Sequence, residues 1–326
     1  MDMKPTRVRL LGTTCIAVAG LLPLPAASQD VYPTRPITIV VPFPPGGAAD
    51  ALPRLLADRL AATLGQPIVI QNKPGATGNI GAEWVANAKP DGHTLLSSPP
   101  PPLVINQSLF PQLGFDPARF VPITVIAGAP NVLVAHPKLR ANSVDELIAL
   151  AKAQPGALNY ASTGAGGTPH LSAEWFKSHA GVQITHVPYK GNPAYTALLA
   201  GEVDIMFMNL ADALPYLRSG RLKALAVASA RRTSALPDTP TLAETIPGFV
   251  STTWYAVVAP PGTPGAIADK LSAAFNDALQ RPEVARRLAE LNFETIGGSP
   301  ARTAAFFKEE TQRWGQVIRA ANVKPD

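Results

Sequence analysis

Short apolar runs alternate with helical patterns along most of this 326-residue chain, and this alternation restricts the fold more than any other feature. Apolar runs at 37–41, 68–70 and 94–96 predict three strands. Between the first two strands, leucines at helical spacing predict a first helix, and they are Leu52, Leu55, Leu56, Leu60 and Leu64. A second helix is predicted at 78–88. The order β-α-β-α-β is typical of a parallel sheet covered by helices on both faces, so the predicted fold class is α/β.

A second series of the same kind follows a stretch rich in proline. Residues 99–120 include four consecutive prolines and show little periodicity, which favours a long irregular connection. Strand pieces are predicted on either side of Gly128 and Pro130, at 121–126 and 132–135. Beyond them we predict strands and helices in alternation, at 143–153, 158–161, 169–180, 184–188, 193–200, 204–208, 211–219 and 223–228. A last strand at 255–259 precedes a helical tail in which Pro282 begins a helix. Two such units in one chain predict a two-lobed protein with a ligand cleft between the lobes.

The N-terminus has the pattern of a secretory signal peptide. Basic residues lie at positions 4, 7 and 9, an apolar stretch covers 10–24, and Ala26 and Ser28 fit a small-residue cleavage site. The alternative is a membrane anchor, but the stretch contains Pro23 and is shorter than the roughly 20 residues that a span needs. We therefore expect residues 1–28 to be a signal peptide and the mature protein to be periplasmic.

Cleavage changes the composition in ways that exclude several kinds of chemistry. The single cysteine, Cys15, is removed, so disulfides, thiolate nucleophiles and cysteine metal sites are excluded from the mature chain. The formal net charge falls from +5 to +3, because Lys4, Arg7, Arg9 and Asp2 are lost. Basic residues do not alternate with aromatic ones in any segment, which argues against a nucleic-acid partner.

The first candidate binding loop covers residues 42–50, between the first strand and the first helix. Gly46 and Gly47 allow a ligand close to the backbone, and the helix start offers N–H groups to an anion. Phe43 would supply an apolar wall, and Asp50 is placed to cap the helix. The alternative is a tight turn without a ligand. The loop has neither the dinucleotide-binding nor the P-loop pattern.

The second candidate loop covers residues 160–170 and also joins a strand to a helix. Its glycines and hydroxyl residues offer backbone N–H and O–H donors to an anion, and they are Ser162, Thr163, Gly164, Gly166, Gly167 and Thr168. One loop in each unit suggests that the two loops face each other across the cleft. Tyr189 and Lys190 follow another strand and would reach the same cleft, although an ordinary surface lysine is the alternative for Lys190.

Patterns typical of enzymes are missing from the sequence. There is no G-x-S-x-G and no H-E-x-x-H motif, and the five histidines show no metal-ligand spacing. His170 is expected to be a structural hydrogen-bonding residue. Glu202, Asp204 and Asp212 do not form an acid/base pair. We therefore predict no catalytic residues, no metal and no cofactor.

Six segments, in order along the mature chain, resemble the Bug-type substrate-binding proteins of tripartite tricarboxylate transporters. They are 32–50 (YPTRPITIVVPFPPGGAAD), 71–76 (QNKPGA), 90–95 (PDGHTL), 160–162 (YAS), 187–191 (VPYKG) and 236–241 (LPDTPT). The resemblance implies a two-lobed periplasmic-binding-protein fold of the clamshell, type II-like kind. Lobe one would comprise 29–131 and 247–326, and lobe two 132–246.

The resemblance also implies the ligand, the partners and the site. The ligand would be a small organic carboxylate, aliphatic or aromatic, held without an arginine, and the monomeric protein would present it to membrane permease subunits. The implied ligand-binding residues are Phe43, Pro44, Gly46, Gly47, Asp50, Ser98, Ser162, Thr163, Gly164, Gly166, Gly167, Thr168, Tyr189, Asn209 and Asp212.

Two departures from the family pattern affect the expected ligand. Proline residues 99–102 replace a Gly/Thr-rich loop and provide no N–H donors, which leaves Ser98 as the expected polar contact there. Gly167 stands where the family usually has Ser or Thr. We therefore expect a less polar side of the pocket, suited to a ligand with an apolar part.

Two alternative functions stay open, a sensor subunit that signals to a membrane receptor and, with less support, an exported hydrolase.

Overall fold

The computed structural model of this chain describes residues 1–3, 32–189 and 191–324. The predicted signal peptide falls, beyond its first three residues, outside these ranges, and so does Lys190. The chain divides into the units 1–31 and 32–326, and every element described below lies in the second unit.

The first part of that unit has the predicted β-α-β-α-β order. Its elements are β1 (Ile37–Val41), α1 (Ala48–Leu64), β2 (Ile68–Asn72), α2 (Asn79–Ala86), β3 (Thr94–Ser98), α3 (Asn106–Leu109) and β4 (Val121–Ala135). β1 pairs in parallel with β2 on one side and with β3 on the other. The prediction of a parallel sheet from the alternating pattern is therefore confirmed.

The remaining elements continue the alternation and end in three helices. They are α4 (Val144–Ala153), β5 (Asn159–Ser162), α5 (Thr168–Ala180), β6 (Thr185–Pro188), α6 (Pro193–Ala200), β7 (Ile205–Asn209), α7 (Leu210–Arg218), β8 (Lys223–Val227), α8 (Leu242–Thr245), β9 (Thr252–Ala259), α9 (Gly265–Gln280), α10 (Pro282–Glu290), β10 (Glu294–Thr295) and α11 (Pro300–Ala320). The helix predicted to begin at Pro282 does so. Among the residues described, no helix is both long and apolar enough to span a membrane.

Two segments differ from the expectation. Residues 99–120 are partly helical rather than irregular throughout, because helical turns at 101–105 and 117–119 flank α3. The carbonyl of Pro100 accepts hydrogen bonds from the N–H groups of Leu103 and Val104, so the proline run begins a turn too short to show a period. The two strand pieces around Gly128 and Pro130 form one strand, β4, because pairing with β9 continues as far as Pro130 and pairing with β7 begins at the next residue.

The strands form two lobes joined through β4. In lobe one the order is β2-β1-β3-β9-β4, and β10 pairs with the other side of β4. In lobe two the order is β4-β7-β5-β6, and β8 pairs with the other side of β4. Each lobe buries two apolar clusters, and the sheet residues of the clusters alternate between them, as for Ile39 and Val40 in lobe one and Leu133 and Val134 in lobe two.

Strand direction places the binding edges of the two lobes opposite each other. β9 is antiparallel to both β3 and β4, so β1 and β3 run in the direction in which β4 enters lobe two. β7 and β5 run antiparallel to β4, so they run back toward lobe one. The carboxyl ends of the parallel strands in one lobe therefore face those in the other, and this is where α/β sheets bind their ligands.

Candidate functional site

The lobe-one loop lies between the end of β1 and the start of α1. Gly46 has a φ of +92°, which favours glycine, and Gly47 is the extended N-cap residue of α1. A Cβ placed on Gly46 or Gly47 would have no other atom within 4 Å. Both glycines are exposed, as are Pro44 and Pro45. The loop thus presents backbone and a helix N-terminus to open space, an arrangement that favours an anion.

The carboxylate of Asp50 fixes the conformation of this loop by accepting hydrogen bonds. Its buried carboxylate accepts hydrogen bonds from the Gly46 N–H at 3.1 Å, from Arg54 Nε at 2.9 Å and from Asn72 Nδ2 at 3.0 Å. Asn72 Nδ2 also donates to the carbonyl of Phe43 at 3.0 Å. The Arg54 side chain holds the pKa of Asp50 at about 2, so the carboxylate is ionised at neutral pH. Its contacts make Asp50 a positioning residue of the loop.

Arg54 and Asn72 were missed by the sequence reasoning. Arg54 lies four residues after Asp50 on α1, and this i,i+4 spacing of opposite charges is a signal that identifies it as a partner. Asn72 ends β2, and only the pairing of β1 with β2 brings it to the loop.

An apolar wall stands beside the lobe-one loop. A Cβ placed on Gly78 would lie 3.1 Å from Pro102 Cγ and 3.2 Å from Phe43 Cε2, so the ring and the proline meet over this glycine. Ser98 is fully buried and its hydroxyl donates to the carbonyl of Pro99 at 3.0 Å. Gly78 was not singled out in the sequence, although its φ of +90° requires the freedom of glycine.

The lobe-two loop joins β5 to α5 and is held by two histidines. The Gly166 N–H donates to His170 Nδ1 at 3.0 Å, and Ser162 Oγ lies 2.7 Å from His186 Nε2. The rings of His170 and His186 stack with centroids 4.3 Å apart, and His186 stacks on Tyr160 at 4.6 Å. Burial, together with His186 and Lys177, lowers the pKa of His170 to about 3, so its ring is neutral and Nδ1 accepts. The structural role expected for His170 is confirmed.

The residues of this loop differ in what they face. A Cβ on Gly164 would meet nothing within 4 Å, whereas one on Gly166 would clash with Leu109 of lobe one. Thr168 is buried, and its hydroxyl hydrogen-bonds to Thr253 of β9. Gly167 is the N-cap residue of α5, and Thr163 is partly exposed beside Gly164.

The carboxyl ends of β6 and β7 complete the lobe-two edge. The Tyr189 N–H donates to the carbonyl of Ser162 at 3.0 Å, so the segment after β6 lies against the glycine loop. Asn209 ends β7, and Asp212 lies in the first turn of α7. Asp212 accepts a hydrogen bond from Tyr195 Oη at 3.0 Å, and burial raises the pKa of its carboxyl group.

These residues lie on facing edges of the two lobes, and the lobes touch each other at two places. Leu109 of lobe one lies against Gly166, and Ala211 of lobe two packs against the core of lobe one. Within the described ranges, no three His, Cys, Asp or Glu side chains are placed to hold a metal ion. The site therefore offers backbone N–H groups, two helix N-termini and an apolar wall, which suits the binding of a small anion with an apolar part.

Comparison with known proteins identifies the family of this chain. The sequence model of the "Tripartite tricarboxylate transporter family receptor" family matches residues 52–323. Protein BugT of Bordetella pertussis is 40% identical over 326 residues, covering 99% of each chain.

Solved structures show the same fold over most of the chain. An R. palustris protein with adipate has a TM-score of 0.83 at 39% identity, covering 90% of this chain and all of its own. MatC from Rhodopseudomonas palustris with bound malate has a TM-score of 0.78 at 36% identity, covering 88% of this chain and all of its own. The periplasmic binding protein BugD has a TM-score of 0.80 at 33% identity, with coverage of 90% and 100%. The fold is thus the two-lobed fold of periplasmic solute-binding proteins, and this chain belongs to the tripartite tricarboxylate transporter receptor family.

Proposed function

We propose that this chain is a periplasmic solute-binding protein that captures a small organic carboxylate for uptake through permease subunits of the tripartite tricarboxylate type. One observation carries the proposal. Two glycine-containing strand–helix loops lie on facing edges of the lobes, with open space at Gly46, Gly47 and Gly164. The adipate and malate found in two relatives of known structure support a carboxylate as the ligand.

The residues suggest how the ligand is held. The first N–H groups of α1 and α5 lack partners within their own helices and carry partial positive charge, so they attract a carboxylate without an arginine in either loop. Phe43 and Pro102 would cover the apolar part of the ligand. Closure of the lobes is stabilised only by the contacts that the ligand makes in the closed state, and the two crossings of the chain, near Asn131 and Ser251, act as the hinge.

A matched pair of glycine variants tests the site. Gly47 and Gly265 are both at the start of a helix, have no strained backbone angle, and have open space where a Cβ would lie. We expect Gly47→Ile to weaken binding of adipate, malate or benzoate at least about tenfold, because the side chain fills the anion site. Gly265→Ile serves as the control and should bind as the unmodified chain does.

Titration calorimetry on the chain purified from the periplasm measures these affinities. Native mass spectrometry of the gently purified protein shows any ligand that it retains. If no carboxylate binds, or if the two glycine variants bind equally well, the proposal is wrong.

The role in transport has its own test. Deletion of the gene should abolish uptake of the bound carboxylate, whereas intact uptake with a lost transcriptional response would favour the sensor alternative.

We also retain the proposed lobe limits, 29–131 with 247–326 and 132–246, which limited proteolysis would test at the crossings.

A further inference from the structure

Asn209 and Asp212 stand beside the lobe-two glycine loop. β5 and β7 are parallel neighbours with Ala161 opposite Met206, so the backbone after β5 and the end of β7 leave the sheet at the same edge. Adjacent strands lie about 4.8 Å apart. The start of α7 therefore lies at the same edge of the sheet as Thr163 and Gly164.

Lobe one packs against the start of α7. Ala211, between Asn209 and Asp212, packs against the core cluster of lobe one. Tyr255 of β9 belongs to that cluster, and the Asp212 carboxylate contributes to the raised pKa of its hydroxyl group. Asp212 thus lies between the lobes, close to side chains of both.

Two hydrogen-bond acceptors lie at this position, the Asp212 carboxylate and the Asn209 side-chain oxygen. The Asp212 carboxylate accepts a hydrogen bond from Tyr195 Oη at 3.0 Å, and the Asn209 side chain lowers its pKa. The buried Oδ1 atom of Asn209 has no hydrogen-bond partner among the residues that the structure describes. A buried acceptor without a donor is costly, and a ligand that brings a donor relieves the cost.

Stabilisation of a carboxylate by a helix N-terminus does not by itself account for the surroundings of Asp212. A carboxylate in the first turn of a helix is favoured by the helix dipole, and the exposed Asp145 of α4 is an example in the same lobe. Asp212 instead lies beside Tyr195 of α6, Asn209 and Tyr255 of β9, and burial raises the pKa of its carboxyl group although Tyr195 and Asn209 lower it.

We infer that Asp212 and the Asn209 side-chain oxygen form an acceptor subsite that selects carboxylates bearing a hydrogen-bond donor, an ammonium or hydroxyl group, on the carbon skeleton. Tyr195 is the positioning residue that orients the Asp212 carboxylate. The inference rests on the proposed function, because the glycine loops must first hold the carboxylate of the same ligand.

Two pairs of acids that differ only in the donor test the inference. We would measure binding of succinate and aspartate, and of adipate and 2-aminoadipate, by calorimetry, with malate as the hydroxyl-bearing acid. The amino acid of at least one pair should bind about tenfold or more tightly than its plain partner. Asp212→Asn should remove that preference and leave the plain acid bound as well as before or better.

Two further variants separate a specific effect from a general one. Tyr195→Phe should reduce the preference without abolishing it, since it removes only the group that orients the carboxylate. Asp145→Asn removes an exposed carboxylate from the first turn of another lobe-two helix and should change nothing.

The possible failures are distinguishable. If plain acids bind and neither donor-bearing partner binds more tightly, or if Asp212→Asn weakens both members of a pair equally, the inference is overturned while the proposed function stands. If no acid binds, the proposed function fails and the inference with it.

Discussion

Asp50 and Asp212 both lie in the first turn of a helix at the site, and their carboxyl groups are shifted in opposite directions. Asp50 receives hydrogen bonds from Arg54, Asn72 and Gly46, which favour the ionised form. Asp212 is partly buried beside Tyr195, and this burial raises the pKa of its carboxyl group. The helix position is shared, so the hydrogen-bond partners and the burial of each carboxyl group decide the direction in which its pKa moves.

Replacing Asp50 by Asn should lower the stability of the fold in a pH-dependent way. The pKa of Asp50 is about 2 in the folded chain, against about 3.9 in an unfolded one. Its stabilisation is therefore present above pH 4 and lost as the pH falls toward 2. At pH 7 we expect Asp50→Asn to reduce the free energy of unfolding by about 1–2 kcal/mol, allowing for the exposure of Arg54.

Urea unfolding at a series of pH values measures this difference, which should shrink below pH 4. The exposed pair of Asp277 and Arg281 provides the control, and Asp277→Asn should have almost no effect. A deficit in Asp50→Asn that stayed constant from pH 7 to pH 3 would contradict the assignment.

At the scale of elements, the two strand–helix junctions are built alike but held differently. Each helix begins after an extended glycine, Gly47 before α1 and Gly167 before α5. In lobe one the carboxylate of Asp50 accepts a hydrogen bond from the Gly46 N–H. In lobe two the imidazole of His170 accepts one from the Gly166 N–H. Both acceptors lie in the helix that the loop begins, so each helix fixes the shape of its own N-terminal loop.

Replacing His170 by Phe should keep the ring stacking and remove the acceptor for the Gly166 N–H. We expect the affinity for the bound carboxylate to fall several-fold to about tenfold, because the loop is no longer fixed in its binding shape. The wild-type affinity should show no inflection due to His170 between pH 5 and pH 8, since its pKa is about 3.

Calorimetry across this pH range measures both effects. His179→Phe is the matched control, because His179 is exposed at the far end of the same helix. Unchanged binding in His170→Phe would show that the loop keeps its shape without the histidine.

At the scale of the whole molecule, a buried polar network connects the lobe-two helix α5 to the two crossings. Asn131 Nδ2 donates to Ser251 Oγ at 2.7 Å, and Ser251 Oγ lies 2.6 Å from Ser172 Oγ of α5. Thr253 hydrogen-bonds to both Asn131 and Thr168. If one lobe moves relative to the other, this network must either move as a unit or rearrange its hydrogen bonds.

Replacing Asn131 by Leu should destabilise the fold, because it removes one of the two buried hydrogen-bond partners of Ser251 and of Thr253. We expect a loss of about 1–3 kcal/mol in the free energy of unfolding, measured by urea titration. Asn87→Leu, at an exposed position of lobe one, should lose much less. Equal losses in the two variants would show that the network does not contribute to stability.

The sequence predicted the fold class and the order of elements well, and it predicted long-range contacts poorly. Strands and helices follow from periodicity, which neighbours within one or two turns determine. Asn131 and Ser251 are far apart in sequence, and no local pattern links them. The same limit applies to Asn72, which reaches Asp50 only through strand pairing, and to the short turns of 99–120, which contain too few residues to show a period.

The sequence by itself determined the α/β alternation, the glycine loops at the ends of β1 and β5, and the likeness to a receptor family. Tertiary structure alone decided that β4 is an antiparallel neighbour of both β9 and β7, which turns the carboxyl ends of the parallel strands of the two lobes toward each other. It also decided that Asp50 meets cationic and amide donors whereas Asp212 is partly buried beside Tyr195. The physical reason is that helix and strand periods depend on adjacent residues, whereas strand pairing and the burial of a charge depend on packing of the whole chain.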